Sequence, residues 1–157
     1  MSTSMPMRRR DDPAARHAAA LERLALFYET LTPQTVFEVR ALYAAGAVFK
    51  DPFNETRGHA AIIAIFEHMY VQLEVPRFIV VSRLAQGEQA FLTWEMRFRF
   101  KRWPQREHTV RGATYLRFDA ESRVSLHRDY WDAAEELYEK IPLLGGLMRL
   151  LKRAARR

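Results

Sequence analysis

The amino-acid sequence predicts an α+β fold in a single domain, and three observations carry that expectation. Apolar residues recur at helical spacing through the N-terminal half, up to about Leu73. From Pro76 to Trp131 they recur instead at alternate positions, in β-branched and aromatic runs. Short turn signals join those runs, so successive strands lie antiparallel. Helices first and strands second segregate into α+β rather than interleaving as a parallel sheet.

The elements follow in order. From about Ala14 to Leu31, the residues Leu21, Leu24, Tyr28 and Leu31 repeat at helical spacing, and alanines add propensity. Thr32 is a good N-cap and Pro33 sits where the first helical N–H is dispensable, which predicts a second helix to about Ala44, ended by Gly46. "AVFKDPF" is extended, because Pro52 pushes Asp51 towards β geometry, and "NETRG" is a turn. A third helix from about Gly58 to Leu73 carries the stripe Ile62, Ile65, Phe66, Met69 and Leu73. Four strands follow, "RFIVVSRLA", "QAFLTWEMRFRFK", "HTVRGATYLRF" and "RVSLHRDYW", separated by "QGE", "WPQRE" and "DAES". "DAAEELYEK" reads helical, and residues 1–13 read as a loose tail.

Composition removes several function classes. There are 157 residues and no cysteine, which excludes disulfides, thiolate catalysis and Cys-based metal centres. The five His residues lack metal-ligand spacing, and neither a metal nor another cofactor is expected. The net charge of +6 is confined to one segment: residues 140–157 hold six Lys/Arg and no acid, so residues 1–139 are neutral. A basic groove following a nucleic-acid backbone is not predicted. No stretch reaches the roughly 18 apolar residues that span a bilayer, and no secretory signal is read, so a cytoplasmic protein is expected.

The order of elements, with "FKDPF…RG…I…F" after the second helix and "RDYWD" on the last strand, resembles the nuclear transport factor 2-like superfamily. Within it the chain is similar to the SnoaL-like group, relatives of polyketide cyclase, ketosteroid isomerase and limonene epoxide hydrolase. The likeness covers residues 14–137. It implies a cone-shaped, barrel-like fold: a curved antiparallel sheet wrapped around three N-terminal helices, with a pocket at its open end and a C-terminal amphipathic helix appended.

The resemblance also implies site residues. Asp51 matches the general base of ketosteroid isomerase, while the positions of that enzyme's oxyanion hole fall on Phe27, next to Tyr28, and on Thr114. Asp129 matches the water-activating Asp of limonene epoxide hydrolase, and the acid and Arg of its triad fall, in reversed order, on Glu95 and Arg97. Asp129, Arg97, Glu95 and Asp51 are therefore the catalytic candidates. Phe27, Tyr28, Phe49, Thr93, Thr114, His127 and Trp131 are the substrate-binding candidates. On "LHRDYWD", alternation puts His127, Asp129 and Trp131 on one face, turned inward.

Two readings of "LTWEMRF" stay open. Binary patterning makes Trp94, Met96 and Phe98 core and leaves Glu95 and Arg97 wet. The resemblance turns the strand over, putting Glu95 and Arg97 in the pocket and the aromatic row outside, where a homodimer would cover it. Partners expected are thus a small apolar ligand and a second copy through Trp94, Met96 and Phe98. In the basic segment, Leu143, Leu144, Leu147, Met148, Leu150 and Leu151 fill one helical arc, and Arg149, Lys152, Arg153 and Arg156 fill the other. Residues 143–157 are therefore a candidate for membrane-surface contact, peripheral to the inner face. The implied function is an isomerase, cyclase or hydrolase, with a non-catalytic carrier as the alternative.

Overall fold

The computed structural model describes residues 12–136. Most of the expected tail and all of the expected membrane-contacting segment, 143–157, lie outside them. Helix α1, Pro13–Glu29, starts where Asp12 accepts a hydrogen bond from the Ala14 N–H at 3.0 Å and Pro13 fills the first turn. It buries Leu21, Leu24, Phe27 and Tyr28 along one side. Helix α3, His59–Gln72, buries Ile62 and Phe66 of its expected stripe together with Ile63, while Ile65 and Met69 are half-buried and Leu73 already belongs to the next strand.

The expected second helix is corrected. Thr32 and Thr35 close a turn, Val36–Glu38 form one 3₁₀ turn, and α2 is only Val39–Leu42. Tyr43 then begins strand β1, Tyr43–Lys50, and Gly46 lies inside that strand rather than after a helix. The physical reason is tertiary. Tyr43 and Ala47 are fully buried, Tyr43 between Tyr28 and His127, and this burial outweighs a weak local preference for helix.

Strands β2 (Glu55–Arg57), β3 (Leu73–Gln86), β4 (Gln89–Phe100), β5 (Trp103–Phe118) and β6 (Val124–Tyr130) complete one curved, unclosed sheet in the order β2-β1-β6-β5-β4-β3. Helix α4, Ala133–Glu136, follows. The β3-to-β6 meander is antiparallel throughout, with Gly87 supplying a φ of 58° in the β3–β4 turn. The purely antiparallel expectation is corrected at one seam: β1 lies parallel to β6, with Phe49 opposite His127. That pairing closes over α3 and the whole meander, a long crossover of the kind parallel neighbours require. No described helix is long and apolar enough to cross a membrane.

The orientation of β4 settles the two readings of "LTWEMRF". Ala90, Leu92, Trp94 and Phe98 are buried, and they alternate with exposed or half-exposed neighbours. The aromatic row faces the helices, and Thr93, Glu95 and Arg97 face away, so the register taken from the resemblance is overturned. Trp94, Met96 and Phe98 are consequently not available as a dimer face. Burying each such side chain stabilises the fold by roughly 1.5–3 kcal/mol, which decides the direction. Glu95 instead pairs with Arg97 at 3.1 Å and with Arg111 at 3.2 Å across the outer face.

Trp94 lies flat across Gly112 on β5, its partner in register. A Cβ at Gly112 would stand 2.5 Å from Trp94 Cζ2 and 3.1 Å from Trp131 Cβ. Gly112→Ala is therefore expected to lower stability by about 1–3 kcal/mol, measured by urea denaturation, because both contacts are with bulky residues packed on the inner face.

Candidate functional site

The site forms where the inner ends of β6 and β5 face α1 and α3. Alternation along β6 aims His127 and Asp129 inward and leaves Arg128 and Tyr130 exposed. A chain of hydrogen bonds runs through the core from them. Trp94 Nε1 donates to Thr114 Oγ1 at 2.8 Å, and the Thr114 hydroxyl donates to Asp129 Oδ1. His127 Nε2 lies 2.8 Å from the same Oδ1. On the far side of the ring, His127 Nδ1 is 3.0 Å from the Tyr28 hydroxyl and 2.9 Å from that of Tyr43, and the two phenols bond each other.

Counting protons assigns the directions. With the proton on Nε2, His127 donates to Asp129 and accepts at Nδ1 from one phenol, which in turn accepts from the other. Every donor on the chain is then used. Both tyrosines are buried, and this dominates their electrostatics. Desolvation, then the Tyr43 charge and hydrogen bond, hold Tyr28 well above the ordinary phenol range. Burial likewise pushes Tyr43 far up, against a hydrogen bond from Tyr28 that pulls the other way.

Asp129 is 17% exposed, and it borders the internal cavities. One chamber, about 230 Å³, is walled by aromatic and apolar side chains from β1, α3, β3, β4 and β5, including Phe49, Phe66, Phe78, Trp94, Phe98 and Val110. A smaller pocket of about 30 Å³ extends behind it to Tyr28, Thr114 and His127. Asp129 Oδ1 carries both hydrogen bonds of the chain. Its Oδ2 takes none among the described residues.

The structure thus brings Tyr28, Thr114 and His127 to the small pocket and Phe49 and Trp131 to the chamber, with Asp129 lining both. Phe27 packs in the core beside Tyr28, with ring centroids 5.5 Å apart, and lines neither cavity. Asp51 stands at the chamber's edge, but four hydrogen bonds from Phe53 N, Asn54 N and Asn54 Nδ2 lock its carboxylate into a turn. Glu95, Arg97 and Thr93 are placed apart from the site: the first two pair with each other and Thr93 bonds Ser82 on the outer face. The hydrogen bond from Arg97, ahead of the Arg111 charge, holds Glu95 below the usual carboxylate range. Glu95→Gln and Arg97→Gln are accordingly expected to leave ligand affinity and turnover unchanged, as titration calorimetry and rate assays would register.

Two members were not found from sequence. Tyr43 falls in the expected second helix, and Trp94, core by patterning and outward by the resemblance, is not among the expected site residues; only the polar tip of each residue hints at a buried partner. Among the described residues, no group of three or more His, Asp or Glu side chains converges as metal ligands would.

A family model described as "SnoaL-like domain" matches residues 24–127. No curated protein matches the chain at a significant level. Among solved structures, the chain is similar to a protein with a ketosteroid isomerase-like fold from Catenulispora acidiphila, solved in complex with trimethylamine. Identity is 18%, with 75% of this chain and 88% of that one covered, at a TM-score of 0.64. It is similar to an M. tuberculosis LEH-like epoxide hydrolase at 17% identity, covering 90% and 99% respectively, with a TM-score of 0.63. It is similar also to a candidate polyketide cyclase from Xanthomonas campestris, at 10% identity, 79% and 96% coverage and a TM-score of 0.66. At these identities the likeness establishes the fold.

Proposed function

We propose that this chain, which belongs to the SnoaL-like domain family, is an acid–base enzyme for a small, largely apolar substrate, with Asp129 taking and returning the proton. One observation carries the reading. Asp129 is the acid whose one oxygen is fixed, by Thr114 and His127, while its other oxygen is left for a ligand in an aromatic chamber. A base must first be within reach of the proton it removes, and this arrangement supplies that geometry. The chamber lies just below the roughly 300–1,000 Å³ usual for ligand pockets. A small substrate follows from that volume, and the Catenulispora acidiphila neighbour is in complex with a small molecule, trimethylamine.

Of the three reaction types expected, proton transfer in an isomerase or cyclase is favoured over epoxide hydrolysis. The Arg97–Glu95 pair that would complete a hydrolase-type triad stands on the other face of β4. The same observation gives weight to a second reading, a non-catalytic carrier, since those charges pair off outside the chamber. The two readings separate by incubating the protein in D₂O with a panel of small enolisable ketones and following deuterium uptake by NMR. Enzyme-dependent exchange that disappears in Asp129→Asn supports catalysis. Saturable binding without exchange supports the carrier.

A further inference from the structure

We infer that the chamber is a site for a small organic cation, a quaternary ammonium or protonated tertiary amine, held by aromatic faces and by Asp129. The inference names a ligand class for the site proposed above and rests on that reading only where it concerns turnover; the binding argument stands alone.

The chamber walls hold eight aromatic side chains and two carboxylates, Asp51 and Asp129, and no Lys or Arg. His68, at the mouth, is exposed. Asp51 spends its oxygens on the turn it closes, which leaves Asp129 as the acid with an open oxygen. Lys50 and Arg128 line, together with Asp129, a separate and more open cleft of about 600 Å³, and neither forms an ion pair with Asp129. Lys50 pairs with Glu55 at 2.6 Å, and the Arg128 guanidinium lies over the Tyr130 ring at 4.8 Å. Asp129 is a half-buried acid whose Oδ1 is held by Thr114 and His127, and among the described residues no Lys or Arg pairs with it. Such a group is costly to desolvate unless a cation joins it.

The ring geometry suits that cation. Phe78 and Trp94 meet edge to face, 5.9 Å apart at 79°, in the depth of the chamber. Phe53 and Trp131 do the same at its mouth, 5.5 Å apart at 76°. Rings at right angles build corners that present π-faces from more than one side, the arrangement that recognises methylated ammonium groups. A purely neutral apolar ligand would use the same walls but leave Asp129 Oδ2 without a partner. A ligand anion would meet two carboxylates.

The test compares choline with 3,3-dimethylbutan-1-ol, which replaces N⁺ by carbon at the same shape, using calorimetry and the fluorescence of Trp94 and Trp131. Choline is expected to bind wild type about tenfold tighter or more, and Asp129→Asn is expected to bring the two within about threefold. Equal or tighter binding of the neutral alcohol to wild type, binding of neither in the millimolar range, or a preference that persists in Asp129→Asn overturns the inference. The wild-type comparison needs no variant and stands even where the substitution unfolds the chain. Cation preference without deuterium exchange of any substrate sinks the enzymatic reading and leaves this one. Exchange of neutral ketones without cation preference does the reverse.

Discussion

Asp129→Asn is expected to slow substrate deuterium exchange by roughly 10²–10⁴-fold while leaving the fold in place. The asparagine has the same shape, and its carbonyl oxygen can still accept from Thr114 and His127, so the buried chain from Trp94 to Asp129 keeps its acceptor. What disappears is basicity at the second position, where an amide N–H₂ replaces the open oxygen. A structural role would show the opposite pattern, with a lowered midpoint in urea and an unchanged exchange rate. Circular dichroism and NMR-detected exchange on the same samples therefore distinguish chemistry from scaffolding. Thr114→Val serves as the companion: it removes one donor to Asp129 and is expected to lower the rate by less, because His127 still fixes Oδ1.

The parts of this architecture that were legible in the sequence are those where local pattern and tertiary fate agree. The stripe of α3 buries Ile62 and Phe66 as its spacing says it should, and the alternation of β6 turns His127 and Asp129 inward. The segment after Thr32 was not legible. Its residues can form a helix, and only contact with β6, which no local pattern encodes, draws Tyr43 into a strand. On β4 the residues themselves gave the right answer. Alternation put Trp94 and Phe98 in the core, and the resemblance argued for the reverse register; the cost of exposing an aromatic row decided in favour of patterning. The candidate site was half legible for the same reason. Asp129 and His127 share a face by simple periodicity, whereas their partners Tyr28, Tyr43, Thr114 and Trp94 arrive from four other elements. Asp51 shows a further limit: Asp before Pro reads equally as a base or as a turn, and the four hydrogen bonds of its turn are visible only in three dimensions.

Stability is expected to fall steeply above pH 10, and the tyrosine pair behind His127 sets the slope. An unfolded chain releases a phenol proton near pH 10, whereas Tyr28 and Tyr43 are held well above that value by burial and, for Tyr28, by the neighbouring Tyr43 charge. The sign follows directly. Below pH 10 both states keep the protons and stability does not respond to these groups. Above it the unfolded state binds fewer protons than the native state, so rising pH favours unfolding. Each phenol contributes a loss of about 1.4 kcal/mol per pH unit until its native pKa is reached. Native domains are stable by only about 5–15 kcal/mol, so a slope of this size from two phenols is a large effect. Tyr70, raised by partial burial, adds in the same direction. Urea denaturation between pH 9 and 12 would measure the slope, and Tyr28→Phe isolates its origin. That variant loses a buried hydroxyl and is expected to be weaker at neutral pH, yet its stability should decline about one phenol more shallowly. A parallel decline in wild type and Tyr28→Phe would show that the phenol ionises as readily in the core as in water, and the proton chain behind Asp129 would then have to be redrawn.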